Sequence, residues 1–210
     1  MPINYSTVVD PLLGDLRNAA AELAEIKAGD RVLDVCCGTG DQVFHYVRKG
    51  AVATGVDRDP RMIELAEKDR KRQGFNNINF RLGSATELPF PDGYFDCVSI
   101  SLGLHEMNRD ERSRSVTEMK RVVKKSGTLI FVDFNVPLAK NLIASLITAV
   151  EFLAGKDNYQ CFSDYLAQGG LNQLLKENRL NMQKEAFYKS GNVQIIKAGN
   201  TREKTSFFLQ

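Results

Sequence analysis

Asp34, Gly38, Gly40 and Asp57 are the residues whose types and spacing point most directly to chemistry. The run Arg31-Val32-Leu33-Asp34-Val35-Cys36-Cys37-Gly38-Thr39-Gly40-Asp41 reads as an apolar strand, a glycine turn and a helix start. A second short strand, Ala51 to Val56, ends in Asp57, 19 residues after Gly38. Glycine lets the backbone approach a bound group closely, and a helix N-terminus offers unpaired N–H groups. A carboxylate after the second strand can accept hydrogen bonds from both hydroxyls of a ribose. The constellation predicts a nucleoside-containing cofactor. His105 is a separate candidate. A histidine titrates near neutral pH, so it could serve as a general base or hydrogen-bond a substrate; the competing reading is a capping or supporting residue behind the site. Glu106 reads as a solvated side chain or an aid to helix start.

These residues need elements to hold them. Apolar positions at Val8, Leu12, Leu16, Ala20, Leu23 and Ile26 recur at helical spacing over about 7–26. Strands are predicted over Arg31–Cys36, Ala51–Val56, Ile78–Leu82, Phe95–Ser101 and Thr128–Phe134, the last an almost continuous apolar run of the kind a buried parallel strand needs. Helices are predicted over Asp41–Arg48, from Asp59-Pro60 to near Gly74, and over Arg109–Val123, with Lys124-Lys125-Ser126-Gly127 as a stop. Asp59 suits an N-cap and Pro60 a first helical position. Two further helical stretches, Asn141–Ala154 and Cys161–Glu177, precede strands at Met182–Tyr188 and Val193–Ala198, joined by a hairpin turn at Lys189-Ser190-Gly191-Asn192. Alternation of strand and helix predicts an α/β fold, a doubly wound, seven-stranded, mostly parallel sheet closed by a C-terminal antiparallel hairpin.

The totals bound the rest. A chain of 210 residues fits one domain over 1–210, with a helical insertion over about 138–177. A hydrophobic share of 43% and a formal charge of +2 suit an ordinary globular protein and imply no polyanionic partner. No apolar run reaches the roughly 20 residues that span a bilayer. The start Met1-Pro2-Ile3-Asn4-Tyr5 lacks a basic region followed by an apolar one, so a cytoplasmic location is expected. Cysteines at 36, 37, 97 and 161 form no Cys-x-x-Cys unit, and His45 and His105 complete no zinc pattern. Reduced thiols and no metal are the expectation.

With Leu33-Asp34-Val35-Cys36-Cys37-Gly38-Thr39-Gly40-Asp41 in place, the chain resembles the class I S-adenosylmethionine-dependent methyltransferases from about residue 29 to 199. Within them it is similar to the ubiquinone/menaquinone-biosynthesis C-methyltransferases and their small-molecule relatives. Leu88-Pro89-Phe90 with Phe95-Asp96, Leu104-His105-Glu106-Met107, Glu118-Met119-Lys120-Arg121-Val122 before Gly127, and Gly169-Gly170-Leu171 before the hairpin extend the match. The resemblance implies a Rossmann-like fold and S-adenosyl-L-methionine as cofactor. It implies that Gly38 and Gly40 pass under the methionine part and ribose, and that Asp34 receives the ammonium directly or through water. Asp57 would take the ribose hydroxyls with Arg58 beside the adenine, Ser84 and Ala85 would flank the adenine edge, and Ser101 would sit near the methionine carboxylate or sulfonium.

Two positions depart from the pattern. Cys36 stands where the family often has glycine, so the backbone there is expected to avoid a positive φ. Ser84 stands where the family often has an acid, so a neutral hydrogen bond replaces a charge-assisted one. Asn4-Tyr5-Ser6-Thr7-Val8 also lacks the Tyr-Asp-x-Met-Asn-like stretch of the quinone enzymes.

The acceptor is open at this level. Leu142, Ile143, Leu146, Ile147, Val150, Phe152 and Leu153 make a wide apolar face that is expected to pack on the sheet. The other reading is a lid over an apolar substrate, joined by Tyr5, Tyr159, Phe162 and Tyr165. Ser101-Leu102-Gly103-Leu104 lacks the Asp/Asn-Pro-Pro-aromatic motif of nucleic-acid amino methyltransferases and the metal-binding acid of catechol-type enzymes. Lys68/Arg70/Lys71/Arg72 and Lys120/Arg121/Lys124/Lys125 fall at helix C-termini, where cations oppose the dipole. The expected partner is therefore a small methyl acceptor, apolar or aromatic, with no nucleic acid and no stable membrane insertion. Two other classes remain: a nicotinamide-dependent oxidoreductase and a non-catalytic S-adenosylmethionine-binding protein. Val43 in place of the dinucleotide fingerprint's third glycine, together with the terminal hairpin, opposes the first.

Overall fold

The computed structural model describes residues 10–200. Thr7 to Val9 of the predicted first helix, and Tyr5, lie outside them. In chain order the elements are α1 (Asp10–Leu23), β1 (Arg31–Val35), α2 (Asp41–Arg48), β2 (Val52–Asp57), α3 (Pro60–Gln73), β3 (Ile78–Leu82), β4 (Phe95–Ser101), α4 (Arg109–Val122), β5 (Val123–Phe134), α5 (Leu142–Leu153), α6 (Lys156–Ala167), α7 (Gly170–Glu177), β6 (Asn181–Tyr188) and β7 (Val193–Gly199).

Seven strands form one sheet in the order β3-β2-β1-β4-β5-β7-β6. β1 to β5 pair in parallel, while β7 runs antiparallel to β5 and to β6. The chain leaves β1 toward β2 and β3, then returns to β4 on the other side of β1. This reversal opens a crevice beyond the C-terminal ends of β1 and β4, the place where such sheets bind ligands. The central strands are apolar because both faces are covered: Val32, Leu33 and Val35 of β1 and Leu129 to Phe131 of β5 are fully buried.

The caps follow local chemistry. Asp59 accepts from the Arg61 N–H at 2.9 Å and Pro60 opens α3. Asn108 and Glu111 close a reciprocal capping box on α4.

The structure corrects four expectations. Lys124 to Gly127 do not form a turn: β5 begins directly after α4, and its pairing with β4 shifts register between Phe95 and Cys97. The bulge absorbs the polar residues without ending the strand, and Lys124 pairs with Asp96. The predicted Cys161–Glu177 helix is two helices, because Gly169 at φ 87° and Gly170 at φ 61° turn the chain between α6 and α7. Cys36 adopts φ 56° rather than avoiding positive φ. That left-handed turn lets the Cys37 N–H reach the Val56 carbonyl at 3.0 Å and the Gly38 N–H reach Asp57 at 2.8 Å; these bonds offset a strain of about 1–2 kcal/mol.

The fourth correction concerns α5. Its apolar face does not pack on the sheet. Leu142 is 85% exposed, Leu146 61% and Leu153 74%, whereas Glu151 is buried at 5%. The helix is anchored through its glutamate, which turns the leucine stripe outward.

Candidate cofactor and acceptor site

At the C-terminal edge of β1, β2, β3 and β4 lies an open cleft, the place where a sheet of this strand order presents its loops to a ligand. It brings together five of the residues singled out in the sequence: Cys36, Asp57, Arg58, Ser84 and Ala85. Val56 and Met107 add apolar walls, and Gly103 and Glu106 close the side under β4.

Each wall has a local cause. Gly38 at φ 52° and Gly40 at φ 83° carry the chain from β1 into α2. A Cβ on Gly40 would stand 2.5 Å from the Phe80 ring, so only glycine fits beneath this turn. Asp57 braces the loop, accepting from Gly38 N–H at 2.8 Å through Oδ2 and from Asp59 N–H at 2.9 Å through Oδ1. Each oxygen retains a lone pair for a further donor. The β3–β4 loop is pinned from α4. Glu118 accepts from Leu88 N–H at 2.8 Å, while Arg121 donates to the Phe90 carbonyl at 2.7 Å and the Leu88 carbonyl at 2.9 Å. Arg121 lies in the last turn of α4, as its place in the sequence implies, and there also clamps the loop. Ser84 sits on the pinned loop, its hydroxyl 2.8 Å from that of Thr86.

Asp34, Gly38, Gly40, Ser101 and His105 do not line the cleft. Asp34 is 2% exposed and accepts from the Ser99 hydroxyl at 2.6 Å. Burial raises its pKa to about 7, against the lowering effects of Ser99 and Arg17. Ser101, at the end of β4, has a buried hydroxyl with no hydrogen-bond partner among the described residues. Burial, reinforced by the Asp57 carboxylate, pushes the Cys36 thiol well up, so it stays protonated.

His105 follows β4 and is 2% exposed. Its Nδ1 lies 2.7 Å from Asp133 Oδ1, and its Nε2 lies 3.6 Å from Glu151 Oε1. Burial alone would lower a histidine; the Asp133 charge and hydrogen bond, with Glu151 and Glu106, outweigh it and carry the pKa up to about 9. The ring packs against Phe134 at 4.5 Å, with Phe162 and Tyr165 edge-on. Phe162 and Tyr165 thus form the wall behind His105, and Tyr165 donates to the Phe134 carbonyl at 2.9 Å.

Sequence reasoning missed Asp133 and Glu151. Asp133 ends an apolar strand and Glu151 stands alone in a leucine-rich helix; an acid on an otherwise apolar face was the available signal. Glu106 enters the cleft beside Met107, and partial removal of its carboxyl from water raises its pKa, with the His105 cation opposing the rise.

The residues fit the chemistry of an S-adenosylmethionine group. An orphaned hydroxyl at Ser101, a carboxylate at Asp57 that can accept further hydrogen bonds and apolar faces from Val56, Ala85 and Met107 are the polar groups and walls such a nucleoside requires.

Comparison with known proteins agrees. Residues 32–127 match the family model described as a methyltransferase domain. The chain is 37% identical over 117 residues to a ubiquinone/menaquinone biosynthesis C-methyltransferase UbiE from Serratia proteamaculans, covering 54% of this chain and 46% of that protein. It is 29% identical over 183 residues to a demethylmenaquinone methyltransferase from Alkalihalophilus pseudofirmus, covering 83% and 77%. The chain spans about half the length of the first curated relatives it matches. In fold it is similar to a SAM dependent methyltransferase from Aquifex aeolicus, with a TM-score of 0.67 at 16% identity, covering 88% and 89%.

Proposed function

We propose, from the premise that residues 32–127 are a methyltransferase domain, that this chain is an S-adenosylmethionine-dependent methyltransferase for a small, apolar or aromatic acceptor. The single observation that carries the reading is the cleft in which Cys36, Asp57, Arg58, Ser84 and Ala85 converge at the reversal of strand order. When bound, S-adenosylmethionine supplies an electrophilic methyl group on its sulfonium.

The chain's own residues then have assigned tasks. Asp57 accepts the ribose hydroxyls while holding the Gly38 loop. Val56, Ala85 and Met107 enclose the adenine, with Ser84 at its edge and Arg58 beside it. The Ser101 hydroxyl donates to the methionine carboxylate, which answers its lack of a partner. Asp34 acts from behind the loop, through water, on the ammonium. His105 is not assigned as a base: a pKa of about 9 keeps it protonated at neutral pH, and Asp133 and Glu151 hold it as a tie between the β4 loop, β5 and α5. The family match ends at residue 127, before α5 and α6, so the choice of acceptor is assigned to the part of the chain that follows it.

The test is binding followed by transfer. Titration of S-adenosylmethionine should stabilise the protein, and Asp57→Ala should weaken its affinity at least about tenfold, the loss of a hydrogen-bonded charge (about 1.4 kcal/mol or more). Labelled methyl transfer into small-molecule extracts, with mass identification of the product, names the acceptor. Stabilisation by NAD and not by S-adenosylmethionine overturns the proposal.

A further inference from the structure

Helix α5 is amphipathic in the reverse sense. Its buried side carries Glu151, with Ala144, Ile147 and Thr148 half-buried. Its outer side carries Leu142, Leu146, Val150 and Leu153, which fall within about 80° of one another at 100° per residue. Phe152 flanks the stripe at 66% exposure. Glu151, the helix's one acid, is drawn inward to Asn158 at 2.8 Å and to His105. The outer face therefore holds no carboxylate. Lys140 before the helix and Lys156 after it are exposed, and neither has an ion-pair partner among the described residues. Lys189 lies in the neighbouring hairpin, whose Ser190 carbonyl accepts from Asn141 at 3.2 Å. Asp157 is the one exposed acid over 139–158.

We infer that α5 is an interfacial anchor that docks this protein onto an anionic lipid bilayer. The helix has 12 residues, about 18 Å, which is too short to span a bilayer and suits lying in its plane. A second copy is the weaker occupant. A face about 18 Å by 10 Å presents roughly 200 Å², far below the ~800 Å² per partner of a standard protein interface. Lipid needs no such complementary area. Leucine and phenylalanine enter the acyl boundary, and flanking lysines meet the anionic headgroups, an attraction that salt weakens. The inference rests on the helix and not on the methyl transfer.

The chain contains no tryptophan, so Phe152→Trp places a single reporter on this face. Mixed with vesicles of phosphatidylcholine containing about 30% phosphatidylglycerol, the reporter protein is expected to shift its emission to the blue and to co-sediment, less so at high salt. Leu146→Glu with Leu153→Glu, both exposed and checked for an unchanged melting temperature, should weaken binding at least about tenfold. Lys140→Glu with Lys156→Glu should weaken binding to anionic vesicles alone. Three results overturn the inference: no binding to the anionic vesicles, equal binding to pure phosphatidylcholine, or self-association in sedimentation velocity that the leucine pair variant abolishes.

Discussion

Asp133→Asn tests the buried polar cluster around His105. The Asp133 carboxylate is fully buried and accepts from the Leu104 N–H at 3.1 Å and the His105 N–H at 3.2 Å through Oδ2. Its Oδ1 accepts from the Phe134 N–H at 2.8 Å and the His105 ring at 2.7 Å. Asparagine keeps one acceptor oxygen and turns the other into a donor. With the N–H₂ at the Oδ2 position it faces two backbone N–H groups; at the Oδ1 position it faces only the Phe134 N–H, because Nδ1 of a neutral His105 can accept from it. The second orientation is the less costly, and its one unsatisfied buried donor costs roughly 1–3 kcal/mol. Out of a typical stability of about 5–15 kcal/mol the variant still folds in the cold but unfolds at markedly lower urea. A second effect separates this account from general damage. Without the Asp133 charge, the burial that lowers His105 is opposed only by Glu151 and Glu106, so the ring loses its proton at neutral pH. Urea unfolding should therefore give a loss of about 1–3 kcal/mol at pH 7 and a flattened dependence between pH 7 and 9. A loss under about 1 kcal/mol, or an unchanged pH dependence, refutes the reasoning.

Two further outcomes follow from the same geometry. Asp34 is raised to about 7 by burial from its ordinary 3.8, so the folded protein holds a proton that the unfolded chain releases. Its contribution to stability falls as pH rises from 3.8 to 7, and the difference in melting temperature between wild type and Asp34→Asn should change across that window and level off above it. At the turn, Gly40→Ala forces a Cβ to 2.5 Å from Phe80 at φ 83°, whereas Gly38→Ala meets nothing within 4 Å at φ 52°. Denaturant titration should show a loss of about 2–5 kcal/mol at Gly40, strain plus overpacking, and about 1–2 kcal/mol at Gly38, strain alone.

Local patterns made much of the fold legible. The Asp59-Pro60 start of α3, its stop at Gly74 and the Lys189–Asn192 hairpin turn depend on residues a few positions apart, so the chain itself announces them. The Gly38/Gly40 turn and the acid at Asp57 are readable for the same reason, and the structure joins them by a single hydrogen bond. Cys36 was misread because its left-handed turn is held by Val56 and Asp57 on another strand, and no local preference encodes that.

Sequence alone therefore determined the first half of the fold: a parallel α/β sheet with a glycine turn and an acid at adjoining strand ends. Tertiary structure decided the cluster around His105 and the exposure of α5. Asp133 and Glu151 come from β5 and α5 to meet His105 after β4, at separations of 28 and 46 residues. Because buried charge must find a partner, Glu151 overrides the apolar pattern of its own helix and leaves the leucines of α5 facing outward.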